Sequence, residues 1–515
     1  MSDAAIVTDD RSQFRWCAYW LLIALAVGST TGRILSVNSI NNLKYQQERI
    51  KEELRKSQAQ WQVRLDAGEM TQERFDRAVV ERRAELEQRL NLERPFLSGN
   101  DRSRWNTIRA LVDHGTYAID ETTHDPNWDT IDMVKHVGRD GQPHLYSSKP
   151  TLLPTLLAGE YWLLQKFTGL ILDEPWTLKD KPFEVVRTML IVTQVPLLAL
   201  MFYLIACLAE IYGKTDWGRI FIVAAATFGT FLTTFAVVLN NHLYAAVSVT
   251  IAVYAALQIL HQQRRGWIWF VLAGLFGAFA FANELPALSF FALLSAILLW
   301  KAPKPTLLFY LPAAAVVIAA SVGTNWLAHN SVIPPYAMRA EGKDWTDGNW
   351  YNYTFERGGR ERDSYWLHPE RRSKIDQGEA SVAEYALHAT VGHHGIFSLT
   401  PIWLLTIAGL IAAAFKGDRN LREIAACVAL ISVVCIAFYL LRPLEDRNYG
   451  GMTSGFRWAF WLAPLWLLAM LPAVDWTGGA KWRQVIAGIL LALSAMSAAY
   501  PTWNPWVLPW PAKLM

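Results

Sequence analysis

A small set of side chains in this 515-residue chain has the types needed for acid–base and phosphate chemistry. Asp101 is a carboxylate that could take a proton from an attacking hydroxyl as a general base. Arg104, Lys149 and Arg457 could neutralise a departing phosphate, the arginines through a bidentate fork and the lysine as a point charge. His242, preceded by Asn241, could bind phosphate or hydroxyl groups, and Tyr449 shares a glycine-rich stretch with Arg457. Glu284 follows a long apolar run, and an ionisable group near a membrane is a functional candidate by default. Each has a plainer reading beside it. Asp101 could cap the helix that begins just after it. Lys149 could snorkel to lipid headgroups, His242 could mark a span end, and Glu284 a helix terminus before Pro286.

The elements that must position these groups are membrane helices. Hydrophobic residues make up 52% and charged residues 18%, against roughly 25% charged in an ordinary soluble protein. A formal net charge of +3 argues against a strongly basic nucleic-acid binder and against an acidic tail protein. The 24 Trp suit membrane–water interfaces. The fold expected is an all-α polytopic membrane protein. Apolar spans run at 15–35, 187–211, 219–239, 243–261, 266–283, 285–300, 305–328, 396–415, 422–441, 457–474 and 483–500. Each is near the ~20 residues that cross a ~30 Å hydrocarbon core.

Charge placement orients them. The short basic loops hold Lys214 and Arg219; Arg264 and Arg265; Lys301 and Lys304; Lys416, Arg419 and Arg422; and Lys481 and Arg483. They share one side only if the apolar stretch 150–171, with Glu160 and Lys166 inside it, lies in the interface instead of crossing. About eleven transmembrane helices follow, in a plasma (inner) membrane, with the N-terminus cytoplasmic. The outer side then holds 36–186, 329–395, 442–456 and 501–515. The first span reads as an uncleaved signal anchor, with a cleaved signal peptide as the alternative. Cys17, Cys207, Cys427 and Cys435 all fall within spans and suggest no disulfide framework.

The resulting organisation is a tail and first span (1–36), a charged antiparallel helical hairpin (37–97), and a first outer loop with interfacial helices and Asp101 (98–186). A membrane bundle (187–328), an aromatic and charged outer loop (329–395), C-terminal spans (396–500) and an interfacial Trp/Pro tail (501–515) complete it. In the hairpin, Ile50, Leu54, Trp61 and Leu65 repeat at 4, 7, 4, and so do Phe75, Val79, Leu86 and Leu90, around a turn at Asp66–Glu69. That is a narrow apolar seam, either decorative or a docking arm for a protein partner through 43–94. A short surface helix is expected at about 102–114. The outer loop 329–395 carries aromatics among carboxylates and guanidinium groups, which suit sugars and suit lipid headgroups equally.

Four stretches together resemble the integral-membrane glycosyltransferases of the C superfamily, which include protein O-mannosyltransferases and lipid A aminoarabinose transferases. They are Asp101 with Arg104 and Trp105; YSSKPTLLP around Lys149, with Thr151 where the second Pro usually stands; LNNHLYAA with Asn240, Asn241 and His242; and NYGGMTSGFRW with Tyr449, Gly450, Gly451, Gly455 and Arg457. The resemblance implies inverting transfer of a sugar from a polyprenyl-phosphate donor to a hydroxyl of a protein, lipid or polysaccharide on the outer side. Asp101 would be the base, Arg104, Lys149 and Arg457 the donor-phosphate ligands, and His242, Asn241, Glu284 and Tyr449 substrate contacts. Membrane lipids are the other expected partners, and nucleic acid is not one. No resident cofactor is implied, and a divalent cation stays open. His393 and His394 lack a third ligand at diagnostic spacing. The chain has no Walker A loop, G-x-S-x-G, H-E-x-x-H or dinucleotide fingerprint. Two other classes remain, a transporter or flippase and a non-catalytic scaffold.

Overall fold

The computed structural model describes residues 3–37, 41–90, 94–339, 342–357 and 360–513. Residues 91–93, at the foot of the hairpin, and the last two residues of the Trp/Pro tail lie outside these. The chain is mostly helical, at 71%. Among the described residues, eight helices are long and apolar enough to cross a membrane: Asp10–Leu35, Pro182–Tyr212, Asp216–Phe235, Asn241–Leu260, Pro303–His329, Arg419–Leu440, Arg457–Thr477 and Lys481–Ala499. Trp267–Asn283, Leu285–Lys301 and Trp403–Lys416 are shorter apolar helices.

Side-chain caps fix where several of these helices begin. Asn240, Thr215 and Asp418 each accept a backbone N–H three residues on, from Leu243, Gly218 and Leu421. The Trp267–Asn283 helix stops because Pro286 follows closely and Glu284 is extended, at φ −134°. The Leu311–His329 helix ends on Asn330 in the left-handed region, φ 51°. Around the bundle, Trp300 (82% exposed) and Phe415 (81%) face outward with many other large apolar side chains, the pattern of surfaces that lipid covers.

The short basic loops gather at one end of the bundle. There Arg15 pairs with Glu210 at 2.8 Å and Asp216 at 2.7 Å, and Asp475 accepts from Lys214 N and Thr215 N, both at 2.9 Å. Tyr212 Oη and His261 Nδ1 lie 2.8 Å apart. The opposite end of the bundle carries the long connections. The 21-residue helix Leu152–Leu172 is among them, and its exposed face is mostly apolar, with Leu156, Trp162, Leu163, Phe167 and Leu170.

The structure is not purely α. Two antiparallel β-hairpins stand in the long connections: β1 (Met133–Val137) with β2 (Pro143–Ser147), and β3 (Thr354–Arg357) with β4 (Arg360–Asp363). The β1–β2 turn is built on Gly138-Arg139-Asp140-Gly141, with Gly141 at φ 80° and Gly138 N donating to Gln142 O at 2.7 Å. Such five-residue strands are too short for their alternation to stand out in sequence. The charged hairpin consists of Asn41–Asp66 and Gln72–Leu90, turning at Gly68. Leu54, Leu86 and Leu90 form its buried seam, flanked by Ile50 and Val79. Trp61, Leu65 and Phe75, nearer the tip, stay half-buried.

Leu86 is fully buried in a two-helix seam with little else beneath it. Leu86→Ala should lower hairpin stability by about 2–4 kcal/mol without unfolding the membrane body. Hydrogen exchange should therefore accelerate across 41–90 and stay unchanged in the spans.

Candidate active site

At the end of the bundle away from the basic loops lies an open cavity of about 1000 Å³. Its wall includes Arg104, Lys149, Asn241, His242, Glu284 and Arg457. Six of the eight residues singled out from sequence therefore converge on one space, from five separate stretches of chain. Asp101 and Tyr449 do not line it.

Arg104 comes from the helix Gly99–Arg109. Ser98 caps this helix, its Oγ accepting from Asp101 N at 3.1 Å. The helix begins earlier than the 102–114 expected, and it closes in a π-turn at Ala110–His114. The guanidinium of Arg104 donates to Asn241 Oδ1 at 2.6 Å, Asn100 O at 2.8 Å and Asn100 Oδ1 at 2.6 Å. Asn241 in turn donates to Asn283 O at 3.2 Å, so Arg104 is braced against the broken helix end. Arg457 approaches from the other side. It donates to Gly450 O at 2.5 Å and to Asn100 Oδ1 at 3.4 Å, and lies 4.6 Å from the Trp506 ring centroid. Gly450 is at φ 102°, and a β-carbon there would come within 2.6 Å of Arg457 Nε, so the loop needs glycine at that point.

Asn100 thus holds both arginines through a single oxygen. Arg104 and Arg457 are 4% and 5% exposed. Among the described residues, neither has a carboxylate within ion-pair distance; their hydrogen bonds go only to neutral oxygens. Buried charges are ordinarily paired, so two like charges held this way form a ready anion site.

Lys149 adds a third cation with its own partner. The β1–β2 register sets Met133 opposite Ser147. Residues 132 and 148–149 therefore meet at the open end of the hairpin, where Ser148 N donates to Asp132 O at 3.2 Å. There Lys149 Nζ pairs with Asp132 Oδ1 at 2.8 Å. Burial lowers the Lys149 ammonium to about 8 against the pull of Asp132, and burial likewise lowers Arg104 to about 10. His242 Nδ1 lies 2.6 Å from Glu284 Oε1, at ion-pair distance but poorly aligned for a hydrogen bond.

Asp101 stands outside the cavity wall. Its Oδ2 accepts from Leu97 N at 3.3 Å, and its Oδ1 accepts from Trp105 Nε1 at 3.0 Å and Leu239 N at 3.3 Å. It is 2% exposed, and burial raises its carboxyl to about 7. The side chain ties its own helix to the segment ahead of Asn241. Tyr449 is likewise held by its neighbours: its ring stacks on His394 at 4.0 Å, its hydroxyl donates to Glu379, and its carbonyl accepts from Arg457 N at 3.3 Å. The Arg104 neighbour Trp105 is 1% exposed and packs beneath the helix.

Three site residues were not singled out from sequence. Asn100, the shared acceptor, sits directly before Asp101. Asp132, the cavity carboxylate beside Lys149, is one of several acidic residues in a polar loop, and only the hairpin register marks it. Asp446 joins the cavity from the loop ahead of Tyr449. Among the described residues, no group of three His, Cys, Asp or Glu is placed to hold a metal ion. Compared with protein-family models and with curated proteins, the chain matches none.

Two outcomes follow. Asp101→Asn keeps only one acceptor oxygen for three N–H donors, so the protein should lose about 1–3 kcal/mol of stability, read as a lower Tm in detergent. Anion affinity of the folded protein should persist. Separately, Lys149 is a cation below about pH 8 and neutral above it. A phosphate monoester is already fully ionised above about pH 7. Binding of farnesyl phosphate should therefore weaken several-fold as pH rises from 7 to 9, and Lys149→Gln should flatten that dependence.

Proposed function

We propose that the chain is a multi-pass membrane glycosyltransferase of the C-superfamily type. It would move a sugar from a polyprenyl phosphate to a hydroxyl on the extracytoplasmic side, with inversion. In this reading eleven helices cross the plasma (inner) membrane, three of them short. The N-terminus and basic loops face the cytoplasm, and Leu152–Leu172 lies in the outer interface.

The observation that carries the reading is the pair of buried guanidinium groups with no carboxylate at ion-pair distance, with Lys149 nearby, at the end of a bundle of membrane helices. The donor's phosphate would bind there, and a lipid carrier suits a compartment without nucleotide sugars. For the base we favour Asp132 over Asp101, because Asp132 lines the cavity and Asp101 does not. The acceptor oxygen attacks the anomeric carbon and its proton passes to Asp132. The bond from that carbon to the phosphate oxygen breaks, and its electron pair stays on the phosphate. Arg104, Arg457 and Lys149 then neutralise the new charge. A phosphate that draws Lys149 toward itself also releases Asp132 to act.

A transporter is the second reading, favoured by the break between Asn283 and Leu288 and by the buried His242–Glu284 pair beside it.

The test is release of polyprenyl phosphate from a polyprenyl-phosphate sugar by purified protein in nanodiscs. Wild type should release it. Asp132→Asn and Arg457→Gln should each lose on the order of 10²–10³ in rate, while Asp101→Asn retains activity at a temperature where it stays folded. Full activity in Asp132→Asn would overturn the assignment. Substrate counterflow without bond cleavage would favour the transporter.

A further inference from the structure

The cavity, at about 1000 Å³, reaches the top of the roughly 300–1,000 Å³ range of single-ligand pockets. It has room for a second molecule beside a phosphate-bound sugar. Its two walls also differ in charge. The inner wall carries Arg104 and Arg457 without direct ion-pair partners, together with Lys149, against the carboxylates of Asp132 and Glu284. The outer wall, contributed by residues 336–376 and 442–448, is neutralised from within. Asp446 takes Arg339 on Oδ1 at 2.8 Å and Arg442 on Oδ2 at 2.5 Å.

Asp376 lines the same wall. Its Oδ2 accepts from Tyr365 Oη at 2.8 Å and from Ser373 Oγ at 2.7 Å. Two cations and two carboxylates thus face the cavity here.

Between these charges stand held aromatic rings. Trp366 is pinned through Nε1 to Ile131 O at 2.8 Å, and the Arg339 guanidinium carbon lies 4.4 Å from its ring centroid. Tyr351 meets the same guanidinium at 4.9 Å. Both rings line the cavity instead of turning outward to lipid.

We propose that this outer wall is a binding subsite for a neutral, hydroxyl-rich saccharide; that the saccharide is the acceptor rests on the transferase reading. Aromatic faces cover the apolar C–H surfaces of a sugar ring. Asp376 and Asp446 keep lone pairs that accept hydroxyl protons, and Arg339 and Arg442 keep N–H groups that donate to sugar oxygens. A phosphorylated or carboxylated ligand would find both guanidinium groups already ion-paired with Asp446 and would meet the second carboxylate, Asp376, on the same wall, and so would gain little over a neutral one. The inner and outer walls would in this way sort two substrates by charge.

The experiment is saturation-transfer difference NMR on the full chain in nanodiscs, with farnesyl phosphate held at saturation so that the inner-wall cations are already occupied. The probes are maltotetraose, chitotetraose, mannotetraose, glucose 6-phosphate and a Ser/Thr-rich tetrapeptide. At least one neutral oligosaccharide should show saturation on its ring C–H protons, stronger than the phosphorylated sugar or the peptide. Trp366→Ala should reduce that signal several-fold and Trp366→Phe should largely restore it. Asp446→Asn, which leaves two arginines unmatched, should shift preference toward glucose 6-phosphate. Each variant's farnesyl phosphate binding serves as the check that it is folded. The proposal is overturned if no neutral oligosaccharide saturates, if Trp366→Ala binds as well as wild type, or if wild type prefers the phosphorylated sugar or the peptide. Loss of farnesyl phosphate binding in wild type, with saccharide binding kept, would sink the transferase reading and leave the subsite standing.

Discussion

Two guanidinium groups buried side by side, with only neutral oxygens in hydrogen-bond contact, are the constraint on which this end of the molecule depends. Taking such a charge out of water costs several kcal/mol even after relaxation. The fold meets that cost with aligned dipoles: the Asn100 amide and carbonyl, the Asn241 amide and the Gly450 carbonyl. These dipoles come from three elements, so the arrangement exists only when the Gly99–Arg109 helix, the start of the Asn241–Leu260 helix and the loop at Gly450 are all in place. A bound phosphate would supply the direct ionic partner that the fold does not place on either guanidinium.

The surrounding structure reads as support for that arrangement. Asp101 draws the segment before Asn241 onto the Gly99–Arg109 helix through Leu239 N, which brings Asn241 to Arg104. Tyr449, held between His394 and Glu379, anchors the loop whose next residue, Gly450, receives Arg457. The β1–β2 register sets Asp132 against Lys149. A carboxylate and a tyrosine that do no chemistry in this account still decide where the cations stand.

Much of the architecture was legible in the sequence because it rests on periodic signals. Apolar length marked the spans, the 4, 7, 4 spacing marked the charged hairpin, and the basic loops grouped at one end. Arg104, Lys149, His242 and Arg457 were legible as types at span ends or in adjoining loops. Asp101 could not be placed from sequence, because a buried carboxylate in the first turn of a helix and a cavity carboxylate share the same sequence neighbourhood. Only the N–H groups of Leu97, Trp105 and Leu239 distinguish them. Asp132 and Asn100 carried no signal, since a single polar residue in a loop has no period. The two small β-hairpins were missed for the related reason that their strands are four or five residues long.

The central claim, that Arg104 and Arg457 form an anion site left unmatched by the fold itself, is tested most directly by thermal unfolding with and without farnesyl phosphate. Wild type should gain Tm on adding it. In Arg104→Gln/Arg457→Gln the ligand-free Tm should hold or rise, because two buried charges without direct ion-pair partners are gone, and the ligand should no longer raise it. An equal ligand-induced rise in wild type and the double variant would contradict the account.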